Sequence, residues 1–197
     1  TSPETPWKSL DKVTATTFLP GDTILLKSGS VWNGEWLWPK GSGTADAPIK
    51  IDKYGGDALP VINGMGIDRG MNYSGAVHLR NQEYWEIRNL EVTNDDDFDV
   101  DIDLSRPQGD NSWSSQAETR NGILIIADGD LLNDDDDGIF DHIYIENCYV
   151  HDVDGPNDWN DTFTGGIIYN VVGTKIRPNT SFRDILIAYN TILKVDL

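Results

Sequence analysis

The chain has a single cysteine, Cys148, among 197 residues, so no internal disulfide can hold it together. Cys148 falls at an apolar-facing strand position and reads as a core residue. Basic residues are scarce as well: 15 Lys and Arg stand against 33 Asp and Glu, a formal net charge of −18. That balance excludes nucleic acid and anionic membrane surfaces as partners. It also argues against a strongly anionic substrate near the acidic loops unless calcium intervenes. No apolar stretch is long enough to span a membrane, and Thr1-Ser-Pro-Glu4 has none of the basic and apolar character of a signal peptide. Export would require a leader already removed from this sequence.

The second half does contain a repeat. Gly75-Ala-Val-His-Leu79 is followed by the run Tyr84 to Val92, Gly122-Ile-Leu-Ile-Ile126 by His142 to Val150, and Gly166-Ile-Ile-Tyr-Asn-Val171 by Asp184 to Leu193. The lead glycines are 47 and then 44 residues apart. Units on that scale stack, because none can bury its apolar face alone. The runs are short, β-branched and bounded by Gly, Asn and Asp, and Ile143 and Ile145 alternate with other residues, so they read as strands. Two strands per unit are too few for a propeller blade, and the expected fold is all-β, a parallel β-helix solenoid. Asn89 and Asn147 occupy matching frames and are either a stacked amide ladder or turn formers; Asn190 departs from the frame by one residue. Residues 1–20 are expected to cap the solenoid, with a short helix over 9–17, and residues 21–197 to form its coils. No polar cap follows Leu193-Lys-Val-Asp-Leu197. The expectation is an uncapped C-terminal end, with further coils supplied by a continuation of the chain or by a second chain.

Two acidic loops interrupt the repeats. Asp97, Asp99, Asp101 and Asp103 alternate with apolar residues and would share one strand face, where like charges repel unless water or a cation screens them. Asn133-Asp-Asp-Asp-Asp-Gly138 presents Asp135 and Asp137 at alternate positions before a glycine. It is not an EF-hand, because Asn133 stands first and Tyr144 stands where a bidentate Glu is required. Asp97, Asp99, Asp101, Asp135 and Asp137 are the candidate calcium ligands; the alternative is a solvated acidic surface.

The candidate catalytic residues lie between His151 and Thr162. This segment leaves a strand at Val150, turns at Gly155-Pro156 and re-enters the next coil at Gly165, so its carboxylates would project from one edge of the stack. Glycoside hydrolysis needs one protonated carboxyl group as acid and one carboxylate as nucleophile or base. Asp154 and Asp161 are the chosen pair, with Asp152 and Asp158 in reserve, and no cofactor is required. Trp159 could stack on a sugar ring, with His151 and Asp158 beside it. Trp36 and Trp38 share a strand face and form either a flat sugar platform or a surface packed on the N-terminal helix.

Pro20-Gly-Asp-Thr-Ile-Leu-Leu-Lys27, Pro39-Lys-Gly-Ser-Gly-Thr44, Ala47-Pro-Ile-Lys-Ile51, Tyr54-Gly-Gly56 and Pro60-Val-Ile-Asn-Gly64 resemble the opening coils of secreted bacterial right-handed parallel β-helix proteins, the pectate-lyase-like group. The resemblance continues through Glu83 to Asn94 and His151 to Gly155. It implies a right-handed solenoid and an extracellular protein acting on carbohydrate, since members of the group are polysaccharide lyases, glycoside hydrolases or epimerases. Two aspartates seven apart on such a loop are similar to the arrangement in glycoside hydrolase family 136. A lyase would need a cation or Arg to neutralise a uronate carboxylate and a basic residue to take a proton. Arg69, Arg80, Arg88, Arg106, Arg120, Lys175 and Arg177 form no Lys-Arg pair on one coil. Glycoside hydrolase is therefore the leading expectation, ahead of a calcium-assisted lyase and of a non-catalytic carbohydrate-binding or adhesive β-helix.

Overall fold

A computed structural model gives the structure and describes residues 5–67, 73–95, 119–154, 164–174 and 180–196. The chain opens with a helical turn, α1 (Asp11–Thr14), followed by β1 (Thr23–Lys27), β2 (Val31–Asn33), β3 (Ile49–Tyr54) and β4 (Val61–Asn63). Next come β5 (Tyr73–Arg80), β6 (Trp85–Arg88) and β7 (Glu91–Asn94), then β8 (Thr119–Asp128), β9 (Ile139–Glu146) and β10 (Tyr149–Asp154). The last are β11 (Gly165–Val172), β12 (Ser181–Ala188) and β13 (Thr191–Asp196). Among the described residues the fold is all-β apart from α1 and a 3-10 turn at Gly129–Leu131.

The strands form three sheets. Sheet one runs β1-β3-β6-β9-β12, sheet two β2-β4-β7-β10-β13 and sheet three β5-β8-β11. All these pairings are parallel. From β5 onward the chain visits sheet three, sheet one and sheet two in rotation, and each strand pairs with its counterpart from the circuit before. A circuit therefore has three strands, where the sequence reading expected two. The second run of each repeat is broken at a residue in the left-handed region: Asn89 (φ 56°), Asn147 (φ 54°) and Tyr189 (φ 58°). Asn enters that region more readily than most residues, so it serves as the corner.

Alternation fills the space between the sheets. Ile49 and Ile51 pair with Trp85 and Ile87, which pair with Ile143 and Ile145, and all six side chains are fully buried. Ile62, Val92 and Val150 form the matching row of sheet two. Cys148 lies in this core, as expected, and burial pushes its thiol up to about 11. The lead glycines are less equivalent than their spacing suggests. Gly75 pairs with Asn121, and Asn121 with Gly165, so Gly122 aligns with Ala76 and Gly166. A Cβ at Gly122 would lie 2.4 Å from Val150 Cγ1, and one at Gly166 would lie 2.7 Å from Ile192 Cγ2. Close approach of sheet two requires glycine at both positions.

The amide ladder takes another form. Asn89 Nδ2 donates to Asp52 Oδ1 at 2.7 Å, whereas Asn63 donates to Asn33 across the β2–β4 pair at 3.1 Å. Asn190 stands one residue past the corner and reaches into the circuit before. Its Oδ1 accepts from Cys148 N–H at 2.8 Å, and its Nδ2 donates to the Ile145 carbonyl at 2.8 Å. The one-residue departure in the sequence thus marks a different task, satisfying backbone at the neighbouring bend. The expected helix over 9–17 is confined to Asp11–Thr14. Leu10 and Val13 are buried in the core, and Glu35 Oε2 accepts from Leu10 N–H at 2.6 Å and from Ser9 Oγ at 3.1 Å.

Candidate functional site

Three connections pass from sheet two to sheet three: residues 64–72, 95–118 and 155–164. Each follows a sheet-two strand and precedes a sheet-three strand, so the strand ends that flank them lie at one corner of the stack. In the sequence the first acidic loop and the candidate catalytic loop fall between those ends. Asp97, Asp99, Asp101, Asp103, Asp158, Trp159 and Asp161 lie outside the described residues. Asp154 is the last residue of β10 and is half-buried.

Just before Asp154, β10 is irregular. Val150 pairs with Val92 and Val153 with Asn94, so His151 and Asp152 together oppose Thr93. This is a β-bulge, and Asp152 takes φ 46° to form it. β13 carries a matching left-handed residue, Lys194 (φ 48°), between the pairs His151–Leu193 and Val153–Val195. His151 Nδ1 lies 2.5 Å from Asp152 Oδ2, and His151 Nε2 lies 3.2 Å from Glu91 Oε1. The imidazole also stacks on Tyr149 at 4.2 Å. Lys194 Nζ reaches Asp152 Oδ1 at 3.1 Å, and Thr93 Oγ1 donates to the Asp152 carbonyl at 2.9 Å. The hydrogen bond from His151, with Lys194 in support, holds the Asp152 carboxyl below the usual carboxylate range. Both ring nitrogens of His151, a candidate substrate ligand, are thus engaged by carboxylates of the protein.

Trp36 and Trp38 flank Leu37, which bridges in parallel to Val77 and extends sheet three. They do not form the flat platform of the sequence reading: their rings meet at 61° with centroids 4.9 Å apart. The face of Trp38 is taken by His78, stacked at 4.9 Å and 11°. α1 is close by, as the alternative had it, since Thr14 Oγ1 donates to the Trp36 carbonyl at 3.3 Å. His78 was not singled out from the sequence, where it sits inside the apolar run Ala76 to Leu79. It is fully buried, and among the described residues neither ring nitrogen has a hydrogen-bond partner. Desolvation, with the Arg80 charge adding to it, lowers its pKa to about 3.

At the corner between sheets three and one, a cleft of about 340 Å³ is lined by Asn81, Glu83, Asp136, Asp137 and Phe140 among others. Its acidic side chains serve the backbone. Asp136 Oδ2 accepts from Asn133 N–H at 2.6 Å and Asp137 Oδ1 from Ile139 N–H at 3.0 Å, while Asp135 is exposed. Burial raises the Glu83 carboxyl. Among the described residues no group of three or more His, Cys, Asp or Glu side chains converges to hold a metal ion.

Arginines of the sheets are paired across circuits. Arg80 meets Asp128, Arg88 meets Glu86 at 3.2 Å and Glu146 at 2.8 Å, and Arg183 meets Asp141. Each of these three guanidinium groups pairs with a carboxylate of a neighbouring circuit, and Arg88 meets Glu86 of its own strand as well.

No family model matches the sequence. The chain is 33% identical over 199 residues to a lacto-N-biosidase of Bifidobacterium longum subsp. longum, an alignment that covers 86% of this chain and 12% of that protein. Two crystal structures of a GH136 lacto-N-biosidase from Eubacterium ramulus are also similar. The selenomethionine derivative superposes with a TM-score of 0.76 at 25% identity, covering 98% of this chain and 32% of that one. The native protein gives 0.70 at 25% identity, covering 96% and 33%. The chain thus spans about an eighth of the curated relative and about a third of the solved ones.

Proposed function

We propose that this chain forms coils of a right-handed parallel β-helix of glycoside hydrolase family 136, and that the protein hydrolyses an oligosaccharide with Asp154 and Asp161 as its carboxyl pair. The observation that carries this reading is the 33% identity to a lacto-N-biosidase across 86% of the chain. The rotation of parallel strands through three sheets supports the β-helix. Asp154 supports the pair, because it closes β10 where the chain enters the loop that holds Asp161. In hydrolysis one of the two carboxyl groups protonates the leaving oxygen while the other attacks the anomeric carbon or activates water. Trp159 and Asp158, from the same loop, would meet the sugar. His151, engaged on both nitrogens, acts instead on the protein side of the site. Export to the cell exterior is part of the proposal, as the setting in which such a substrate is met, and calcium at either acidic loop would order that loop without entering the chemistry.

Further coils or a second chain complete the stack in this reading. The inward residues Ile185, Ile187 and Ile192 of β12 and β13 are 37%, 49% and 45% exposed. Another circuit over them would bury these side chains. The lyase alternative is less well supported, since Arg80, Arg88 and Arg183 are each occupied by carboxylates of neighbouring circuits.

The purified protein is expected to release p-nitrophenol from p-nitrophenyl lacto-N-bioside. Asp154→Asn and Asp161→Asn should each lower kcat by at least about 10²-fold, the usual contribution of a positioned acid or base. Full activity in either variant would remove that residue from the pair, and an ultraviolet-absorbing unsaturated product from a uronate polymer would favour elimination.

A further inference from the structure

The bulge in β10 determines which way Asp154 faces. In a regular strand side chains alternate, so with Val150 inward, Val153 would point outward and Asp154 into the core. Both Val150 and Val153 are fully buried, and the residue inserted between them makes this possible. β7, the neighbouring strand of the circuit before, lacks the insertion: Val92 and Asn94, two residues apart, pair with Val150 and Val153 and are both buried. Asp154 follows the second inward position of β10 and leads directly into residues 155–163, as Asp95 follows Asn94 in β7.

We propose that the His151–Asp152 bulge is a positioning device: Asp152, held in the left-handed conformation, reverses the alternation of β10 and turns Asp154 outward at the corner where the sugar is cleaved. This rests on the hydrolase reading above. The device is gripped from three circuits. Thr93 and Glu91 belong to the circuit before; Thr93 holds the Asp152 carbonyl and Glu91 holds the His151 ring. Lys194, on the circuit after, reaches the Asp152 carboxylate at 3.1 Å, while His151 closes the clamp at 2.5 Å. A φ of 46° suits Asp better than most residues and is a poor place for a β-branched one. The clamp thus fixes a conformation that Asp tolerates and a regular strand would relax.

The test is kcat and KM for p-nitrophenyl lacto-N-bioside, with the unfolding midpoint of each variant measured alongside. Asp152→Val, a β-branched residue at positive φ, is expected to lower kcat by about 10²-fold, the scale of a misplacement of about 1 Å, with KM unchanged. Asp152→Asn tolerates the same φ and should restore most of the rate. If the valine variant does not fold, the double variant His151→Gln with Lys194→Met releases the clamp without straining the backbone, and a kcat lowered by about tenfold supports the device. Native kcat in the valine variant, or in the double variant where that stands in for it, or a loss confined to KM, overturns it. Asp154→Asn measured in parallel separates the two ideas. Activity retained there removes the catalytic reading itself, whereas an inactive Asp154→Asn beside a fully active Asp152→Val removes the positioning role alone.

Discussion

At Gly122 an added Cβ would lie 2.4 Å from Val150 Cγ1 and 2.6 Å from the Gly166 carbonyl oxygen. One contact is with a fully buried side chain across the core and the other with backbone of the next circuit, so neither can yield cheaply. Gly122→Ala is expected to destabilise the fold by about 1–3 kcal/mol, the usual scale of overpacking, with a lower urea midpoint at unchanged m-value. A wild-type midpoint would show that the sheets part freely at this point. The glycine spacing was legible in the sequence, but its reason was not. A period of two says which side chains share a face, not how far away the facing sheet lies. The same limit explains Gly75, which pairs one residue out of step with Gly122.

Sheet one shows how charges follow the strand ladder. Arg183 of β12 pairs with Asp141 of β9, donating through Nε at 2.6 Å to Oδ1, and the Asp141 N–H donates to Glu83 Oε2 at 3.2 Å. The hydrogen bond from Arg183 holds the Asp141 carboxyl below its ordinary value. A lowered folded-state pKa stabilises the fold above the unfolded value of about 3.9, and that contribution is lost as pH falls through the folded value. Arg183→Met should therefore lower the urea midpoint at pH 6, and the gap from wild type should close in more acidic solution. The Arg183 side chain is 66% exposed, so the gap will be small and will shrink with salt. A gap that persists unchanged at pH 2 would point to packing of the Arg183 stem instead. At this scale the sequence reading found strands but merged pairs of them. The apolar pattern runs through the corners, since Leu90 and Cys148 are buried there, and only the left-handed Asn89 and Asn147 mark the breaks. Asp154 was singled out in the sequence because it lies on the acidic segment that leaves the strand at Val150. The bulge behind it was not, because a bulge is defined by its partner strand, and no single strand records how its neighbour is aligned.

Over the whole molecule, the rows of inward side chains are evenly buried until the last circuit. Ile143, Ile145 and Val150 are fully buried, while the residues paired with them, Ile185, Ile187 and Ile192, are 37%, 49% and 45% exposed. The same side chains in the same register differ only in whether another layer lies over them. A formal charge of −18 opposes association in general, yet these three isoleucines lie on the inner faces of strands whose outer faces carry the charged residues. Apolar attraction is local and survives salt that screens the repulsion. The 197-residue chain purified alone is therefore expected to self-associate, eluting above its 21.9 kDa mass with a size that grows with concentration and salt, and to bind a hydrophobic dye. Ile187→Asp combined with Ile192→Asp should abolish both effects and keep the β-sheet spectrum, since neither side chain supports a layer above it. In a protein where further coils cover these residues, the same substitutions would bury two unpaired carboxylates and lower the melting temperature sharply. A monodisperse 21.9 kDa monomer that binds no dye would show that this surface needs no cover, and would remove the proposal of added coils without touching the one for Asp154.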